Sequence, residues 1–250
     1  MSVDNRRYLP LSGAYNFRDL GGYRTRSGGL TKWRRILRAD SPHRLSQGDI
    51  SGLLDQGLST VIDLRSANEV MDAPNPFLTH AQVTYLNVSL FDHLAPADMR
   101  QGQSGATDDP LLDFYVTTLA NRQPAIRDVL GAIAGARDGA VLFHCTAGKD
   151  RTGLISALLL GLADVEEDDI VSDYAQTKPL ITDLVQEFLE LAKQNGTNLD
   201  TYRPLLECNP DTMRKVVHHI TDQYCSVPDF LTKIGLEPDL KSRLSVRLLS

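Results

Sequence analysis

Long hydrophobic runs are missing from this sequence of 250 residues. Its longest apolar stretch, residues 154–160, is interrupted by Ser156 and is far shorter than the roughly 18 residues that a membrane-spanning helix needs. The opening residues, MSVDNRRYLP, also lack the apolar core of a secretory signal. We therefore expect no transmembrane segment and, by default, a cytoplasmic location, although a non-classical secretion route would leave no mark in the sequence.

Cysteine is scarce, with three residues at positions 145, 208 and 225. An odd, small number of cysteines in a chain of this length argues against a disulfide framework and favours a reducing compartment. His218 and His219 come between the last two cysteines, but neighbouring residues of a helix point about 100° apart. The spacing also matches no known zinc pattern. We expect free thiols and no metal site.

Disordered and fibrous classes are excluded because hydrophobic residues (42%) and charged residues (23%) are close to globular averages. The net charge is −6, and aromatic and basic residues are not interleaved, so nothing supports nucleic-acid binding. Charge is uneven, since residues 1–50 carry ten Arg and Lys but only four Asp and Glu. This basic part is either a solvated face or a rim that attracts an anionic substrate.

The hydrophobic pattern predicts an α/β fold. Four segments rich in β-branched and apolar residues predict strands at 35–37, 58–64, 83–88 and 140–144. A helix is predicted from Gln123-Pro124, since proline is favoured at the first helical position. Further helices are predicted from an acidic start at 166–169 and over 180–192, 211–224 and 238–249. We expect a central, mostly parallel sheet flanked by helices, forming a single domain over 1–250.

Two segments are candidates to cover a pocket in this domain. Residues 95–109 (APADMRQGQSGATDD) form a long polar loop of small residues, which is typical of a mobile segment or a lid. The helical portion from about 164 to 250 is the other candidate. The sequence does not decide between them, and it carries no readable signal for the oligomeric state.

The clearest chemistry lies in residues 141–153, VLFHCTAGKDRTG. An apolar strand ends at His144, Cys145 follows at once, and a helix begins near Arg151. Backbone N–H groups of such a loop and helix start converge on an anion, and the helix dipole adds partial positive charge. The sequence therefore predicts a phosphate-binding loop, whose further members are Thr146, Ala147, Gly148, Lys149, Thr152 and Gly153.

Three side chains of this loop have predicted roles in catalysis. Cys145 is expected to be a thiolate nucleophile at the base of the loop. Arg151 can grip two phosphate oxygens with its planar guanidinium group, which a lysine could not do equivalently. The hydroxyl group of Thr152 is expected to donate a hydrogen bond to the sulfur of Cys145.

The loop HCTAGKDRTG resembles the signature of cysteine-dependent protein tyrosine phosphatases, and within them a bacterial atypical branch that includes a secreted mycobacterial enzyme. Three further segments match that branch, namely NFRDLGG at 16–22, VIDLR at 61–65 and YCSVPDF at 224–230. The resemblance covers about residues 12–250. It implies a tyrosine or dual-specificity phosphatase fold and a two-step hydrolysis through a cysteinyl-phosphate, with a phosphoprotein substrate, inorganic phosphate as product and no cofactor.

The sequence departs from the large tyrosine phosphatases in its general acid. Its only tryptophan, Trp33, is followed by two arginines, so the Trp-Pro-Asp acid loop is missing. The resembling bacterial enzymes carry an aspartate at the place of Asp150, which is therefore our first choice. Asp63 and Asp92, each after an apolar strand, are the alternatives. Asp63 could instead form a buried pair with Arg65 that braces the loop from behind.

Two more residues of the loop region have open roles. His144 is expected to be a structural hydrogen-bonding residue rather than a base. Lys149 adds a second cation, and its context is similar to that of phosphoinositide phosphatases, so lipid head-group hydrolysis is an alternative unless Lys149 faces solvent. A non-catalytic phosphate-binding module is a third interpretation, but degenerate members of this kind lose the nucleophile or the arginine, and this chain keeps Cys145, Asp150 and Arg151.

Overall fold

A five-stranded sheet lies at the centre of the computed structural model, which describes residues 6–91 and 108–249. The strand order is β1-β2-β5-β3-β4. Strand β1 is antiparallel to β2, and the other neighbours are parallel. The strands are β1 (Arg18–Asp19), β2 (Ile36–Ala39), β3 (Leu58–Asp63), β4 (Thr84–Asn87) and β5 (Ala140–His144).

Helices surround the sheet and make up most of the chain after β5. Within the described ranges they are α1 (Gln47–Asp55), α2 (Ala67–Asp72), α3 (Pro110–Asn121), α4 (Gln123–Gly135), α5 (Asp150–Leu162), α6 (Glu167–Ala175), α7 (Thr177–Leu180), α8 (Thr182–Gln194), α9 (Leu199–Leu206), α10 (Pro210–Tyr224), α11 (Val227–Lys233) and α12 (Pro238–Leu248). A 3-10 turn covers Pro42–Arg44. None of the helices in these ranges has the length and apolar character needed to cross a membrane.

The side chains of β5 contribute to both hydrophobic cores of the molecule. Because successive side chains of a strand point to opposite faces, Val141 and Phe143 join the larger hydrophobic cluster, and Ala140 and Leu142 join the smaller one. The larger cluster contains residues from Leu20 to Leu248 and includes the buried faces of the helices that follow β5. Both faces of the central strands are therefore covered, as parallel sheets require.

The parallel register brings three strand ends to one edge of the sheet. His144 at the end of β5 lies opposite Ala39 at the end of β2 and opposite Asp63 at the end of β3. The chain leaves β5 into residues 145–149 and then enters α5, which is buried through Leu160. The loop with the predicted chemistry thus lies at the carboxyl edge of the sheet, where open α/β folds bind their ligands.

The predicted fold class, an α/β fold with a mostly parallel sheet flanked by helices, is confirmed. All four predicted strands are present with their bounds shifted by at most a few residues, and the predicted 140–144 strand has the observed bounds. Strand β1 was not predicted, because two residues are too short to show alternation. Residues 92–107, with the candidate acid Asp92 and nearly all of the predicted 95–109 loop, lie outside the described residues.

The segment YCSVPDF has a packing role rather than a chemical one. Phe230 is fully buried and packs edge-on against Tyr224. Val227 lies against α5 at Gly161, where a Cβ atom would come within 2.6 Å of Val227 Cγ2. This glycine allows α11 to approach the buried helix that follows the loop.

We predict that Gly161→Ala destabilises the fold by about 1–3 kcal/mol, because the added methyl group would overlap Val227. Gly52→Ala is the matched control, since Gly52 also lies inside a helix but has no atom within 4 Å of the new methyl group. It should be neutral or stabilising by up to about 1 kcal/mol, because alanine favours helix. Urea unfolding of both variants measures the difference, and equal stabilities would contradict the packing argument.

Candidate active site

The carbonyl groups of the loop are held by side chains and backbone from the first forty or so residues. Asn16 Nδ2 donates to the carbonyl oxygens of Ala147 and Gly148, both at 3.0 Å. Arg38 Nη2 donates to the Gly148 carbonyl at 2.6 Å. The backbone N–H of Ser41 donates to the Thr146 carbonyl at 3.0 Å. Every carbonyl oxygen from position 146 to 148 therefore accepts a hydrogen bond from this part of the chain, and the predicted NFRDLGG segment supplies part of this support.

Gly148 is required by the close approach of the loop to β2. Its φ of +66° is in the left-handed region, and a Cβ atom would lie 2.6 Å from the carbonyl carbon of Ala39. Any other residue would push the loop away from the strand. The sequence prediction of Gly148 as a loop residue thus has a direct backbone reason.

A cluster of buried charges lies beneath the loop. Asp173 of α6 accepts hydrogen bonds from Arg18 Nε at 3.2 Å and from Tyr23 at 3.0 Å, and it is also paired with Arg38. Burial alone would raise the pKa of Asp173, but the two guanidinium groups lower it. Arg18 and Arg38 are fully buried, so these members of the basic N-terminal part support the loop rather than forming a rim.

Two further residues of that basic part, Lys32 and Arg35, also lie away from the site. Lys32 and Arg35 line a separate groove with Arg243 and Arg247. Arg35 directly precedes β2, so it lies at the end of the sheet opposite to the loop. The solvated-face interpretation therefore fits these residues better.

The backbone N–H groups of the loop, unlike its carbonyl groups, lack hydrogen-bond partners among the described residues. From Thr146 to Arg151, none of them donates to another group in the part of the chain that the structure describes. Buried N–H groups are nearly always paired, because leaving them unpaired is costly. With the Cys145 side chain, which is 2% exposed and lines the pocket, they form a set of donors suited to an anion.

Arg151 is fully buried, and four of its five N–H groups are already in use. Both Nη atoms donate to the Glu69 carboxylate at 2.7 Å. The other two contacts are Nη1 to the Leu64 carbonyl at 3.4 Å and Nη2 to Thr146 Oγ1 at 3.2 Å. Nε has no hydrogen-bond partner among the described residues. The guanidinium group is thus held in place along one edge while its Nε–H stays available.

Glu69 was not predicted to belong to the site. It is the third residue of α2, and its side chain also accepts the backbone N–H of Ser66, while the Ser66 hydroxyl caps the helix. Burial opposes ionisation, but hydrogen bonds and charge from Arg151 lower the pKa of Glu69 to about 2. The Ser-x-x-Glu capping pattern directly after VIDLR was the readable signal for a fixed carboxylate here.

Asp150 lies at the start of α5 and lines the pocket. Its Oδ1 accepts a hydrogen bond from the Tyr115 hydroxyl at 2.6 Å and lies 3.0 Å from Lys149 Nζ. Tyr115 was not predicted as a site residue. The structure therefore brings Cys145, Asp150 and the Lys149 side chain to one pocket.

Lys149 does not face solvent, because its side chain is 2% exposed. Its Nζ donates to the carbonyl oxygens of Leu205 at 2.7 Å and Glu207 at 3.0 Å, at the end of α9. Together with Asp150 these acceptors occupy all three N–H groups of the ammonium. Lys149 thus ties the loop to the C-terminal helices.

The predicted alternative acid Asp63 lies behind the loop, fully buried, and does not line the pocket. Arg65 donates to it from Nε at 2.9 Å and from Nη2 at 2.7 Å. Burial would raise the pKa of Asp63, but His144 and Arg65 hold it well below its usual range. A permanently ionised, enclosed carboxylate cannot deliver a proton to a leaving group. The structure supports the bracing interpretation.

His144 belongs to the same group behind the loop. Its Nε2 contacts Asn75 Nδ2 at 2.8 Å, and its Nδ1 lies 3.1 Å from the Cys145 carbonyl oxygen. Burial lowers the pKa of His144 to about 4, so the ring is neutral at pH 7. This placement agrees with the predicted structural role.

The predicted hydrogen bond from Thr152 to the sulfur is not formed. Thr152 Oγ1 is buried and has no partner among the described residues, Cys145 included. Gly153 packs tightly against Tyr174, since a Cβ atom at this position would lie 3.1 Å from the tyrosine ring. Gly153 thus serves helix packing, and its N–H donates to the Lys149 carbonyl oxygen.

The pocket above Cys145 has a volume of about 150 Å³. Its floor is the loop, and its walls are apolar side chains of the helical C-terminal portion: Ile181, Val185, Phe188, Tyr202, Leu205 and Leu206. The predicted covering of the site by residues after 164 thus corresponds to walls contributed chiefly by α8 and α9.

Comparison with known proteins assigns the family. The family model described as "Tyrosine phosphatase family" matches residues 9–250. This chain belongs to the tyrosine phosphatase family. The triple specificity protein phosphatase PtpB of Mycobacterium tuberculosis is 31% identical to it over 210 residues, with 74% of each chain covered. The predicted family and the enzyme class of protein-tyrosine phosphatases are thereby confirmed.

Other matches to the tyrosine phosphatase family are more partial. A tyrosine-protein phosphatase of Nostoc commune is 40% identical over 132 residues, which are 53% of this chain and 44% of that protein. The chain therefore spans less than half the length of that relative. Among solved structures, P. aeruginosa TpbA is similar over 60% of this chain and 80% of its own, with 20% identity and a TM-score of 0.31.

We predict that Glu69 makes the stability of this phosphatase pH-dependent in acid. Its pKa is about 2 in the folded chain and about 4.5 ordinarily, so its stabilising contribution is present above about pH 4.5 and is lost as the pH falls toward 2. Glu69→Gln should lack this part of the acid destabilisation. Denaturant midpoints of both proteins between pH 6 and 3 test this, and parallel pH curves would contradict it.

Proposed function

We propose that this protein hydrolyses phosphate monoesters on proteins, phosphotyrosine first and also phosphoserine and phosphothreonine, through a cysteinyl-phosphate intermediate. One observation carries the proposal: Cys145 lines a pocket with loop residues 146, 147, 149 and 150, and among the described residues the N–H groups of 146–151 and the Nε–H of Arg151 have no partner. Donors converging on a point are suited to the oxygens of a phosphoryl group.

Binding is assigned to the loop and Arg151. The phosphate dianion accepts hydrogen bonds from the loop N–H groups and from Arg151 Nε–H, with the positive end of the α5 dipole behind them. Glu69 keeps the guanidinium plane in place before the substrate arrives, which avoids the cost of ordering a long side chain during binding.

The reaction proceeds in two displacements. Cys145 Sγ attacks phosphorus, the P–O bond to the substrate breaks, and the leaving oxygen takes a proton from Asp150. A water molecule then gives a proton to the Asp150 carboxylate and attacks phosphorus. The P–S bond breaks, the thiolate returns and inorganic phosphate leaves. Neither step needs a metal ion or an organic cofactor.

The walls of the pocket favour an aromatic substrate. Phe188, Tyr202 and the aliphatic side chains of α8 and α9 offer an apolar surface above the thiol, which suits the ring of phosphotyrosine. The name of the mycobacterial relative states triple specificity, which supports including other phosphate esters.

Phosphoinositide hydrolysis is the less favoured alternative. It was suggested by Lys149 as a holder for an additional phosphate group. Lys149 Nζ already donates to Leu205, Glu207 and Asp150, so an extra phosphate could bind it only by displacing these acceptors. A non-catalytic module is disfavoured because phosphate binding alone needs no carboxyl group at the place of Asp150.

We expect turnover of p-nitrophenyl phosphate in the presence of EDTA. Cys145→Ser should show no turnover, because the nucleophile is lost. Arg151→Lys should lower kcat/KM by about 10²–10³-fold through the loss of oriented donors. Asp150→Asn should lower it by about 10²-fold, toward the small end of the range for general acids because p-nitrophenolate leaves readily. Steady-state kinetics give all three values.

Cys225→Ser is the matched control, since this exposed thiol ends α10 and does not line the pocket. It should leave kcat/KM unchanged. A wild type that binds phosphate without turnover would support the binding-module interpretation instead. A panel of phosphotyrosine peptide, phosphoserine peptide and inositol phosphates then orders the substrate classes, and a preference for inositol phosphates would replace the protein substrates proposed here.

A further inference from the structure

Two buried tyrosines outside the loop are linked to the proposed general acid, one directly and the other through the first. Tyr115 of α3 and Tyr174 of α6 are 0% and 1% exposed. The Tyr115 hydroxyl lies 2.6 Å from Asp150 Oδ1 and 2.9 Å from the Tyr174 hydroxyl. Their rings meet edge-to-face at 6.3 Å. The three side chains thus form a short chain of hydrogen bonds that ends on one oxygen of Asp150.

The donor in each of these hydrogen bonds follows from the number of hydrogens that the two phenol groups carry. Burial raises the pKa of both Tyr115 and Tyr174 well above 10, and the charge of Asp150 adds to this effect. Both phenols are therefore neutral, and each has a single hydrogen to donate. Tyr115 gives its hydrogen to Asp150 Oδ1, so the bond between the hydroxyl groups must be donated by Tyr174 to Tyr115.

A second donor reaches the same carboxylate oxygen. Lys149 Nζ lies 3.0 Å from Asp150 Oδ1. One phenol hydrogen and one ammonium hydrogen then occupy both lone pairs of this oxygen, which leaves none for the proton of the neutral acid. When Asp150 is protonated, the proton therefore belongs on Oδ2.

We propose that Tyr115, oriented by Tyr174, is a positioning residue that holds Oδ1 of Asp150 and thereby makes Oδ2 the oxygen that delivers the proton to the leaving group. This inference rests on the proposed function of Asp150 as the general acid. The last side-chain torsion angle of aspartate has a broad, nearly two-fold distribution. A carboxyl group without fixed partners would therefore present either oxygen to the leaving group. Tyr115 and Lys149 remove that freedom, and Tyr115 does so without touching the substrate.

The test compares two substrates that differ in their need for an acid. Phenyl phosphate has a poor leaving group that must be protonated, whereas dinitrophenyl phosphate has a good one that leaves as the anion. Tyr115→Phe should lower kcat/KM for phenyl phosphate by about tenfold and for dinitrophenyl phosphate by less than about twofold. Tyr174→Phe, one bond further away, should show the same selectivity with a smaller loss.

Two further measurements keep this test specific. Tyr224→Phe also removes one phenol hydroxyl, but from a ring that packs on Phe230 and does not line the pocket, so it should leave both substrates unchanged. In an Asp150→Asn background, Tyr115→Phe should cause no additional selective loss, because its effect acts through Asp150. Urea unfolding shows whether each variant is folded, and Tyr174→Phe carries the test if Tyr115→Phe is not.

The outcomes separate this inference from the proposed function. An equal loss on both substrates in Tyr115→Phe overturns the inference, since a merely structural role predicts it. A selective loss in Asp150→Asn but not in the folded tyrosine variants also overturns it and leaves the proposed function intact. If Asp150→Asn shows no selective loss while Cys145→Ser is inactive, Asp150 is not the acid, and both the acid assignment and this inference fail.

Discussion

A loop that turns its N–H groups toward one point must send its carbonyl groups the other way, into the protein, and there each needs a donor. In this molecule Asn16 and Arg38 supply donors for the carbonyls of residues 147 and 148. A buried guanidinium group needs a counter-charge in turn, since removing one partner of such a pair is strongly destabilising. Asp173 provides that charge. The buried ion pairs beneath the loop are therefore a consequence of its anion-binding conformation.

Helix α6 links the buried charges that support the loop to the tyrosines that hold Asp150. Asp173 and Tyr174 are consecutive, and neighbouring residues of a helix point about 100° apart. Asp173 reaches the arginines of β1 and β2, and Tyr174 reaches Tyr115 and, through it, Asp150. The conformation of the loop and the placement of the acid thus depend on one turn of one helix. A shift of α6 would disturb both together, which explains why a helix without contact to the substrate belongs to the functional unit.

The sequence predicted the features that depend on residues close to one another in the chain. The runs of β-branched and apolar residues and the strand-to-helix change at residue 145 were enough to predict the sheet and the loop, as the structure places them. The residues that were missed, Glu69 and Tyr115 among them, reach the site from distant parts of the chain; Tyr115 is 35 positions from Asp150 and Glu69 is 82 from Arg151. A buried polar side chain leaves no periodic pattern, because its partner is known only after folding. The predicted hydrogen bond from Thr152 to the sulfur is absent for the related reason that spacing in sequence does not fix the rotamer of a hydroxyl group.

The pairing of Arg151 with Glu69 changes how this arginine can serve a phosphate. Arg151 was expected to grip two oxygens with its guanidinium group. Because Nη1 and Nη2 both donate to Glu69, the edge formed by these two atoms is not available. The other edge presents Nε–H, together with the second hydrogen of Nη2 that now reaches Thr146 Oγ1. A two-oxygen grip therefore requires the Thr146 hydroxyl, which itself donates to Glu69, to move away from Nη2. The carboxylate thus fixes the guanidinium group along one edge, and the edge that keeps an unpaired donor is the one with Nε–H.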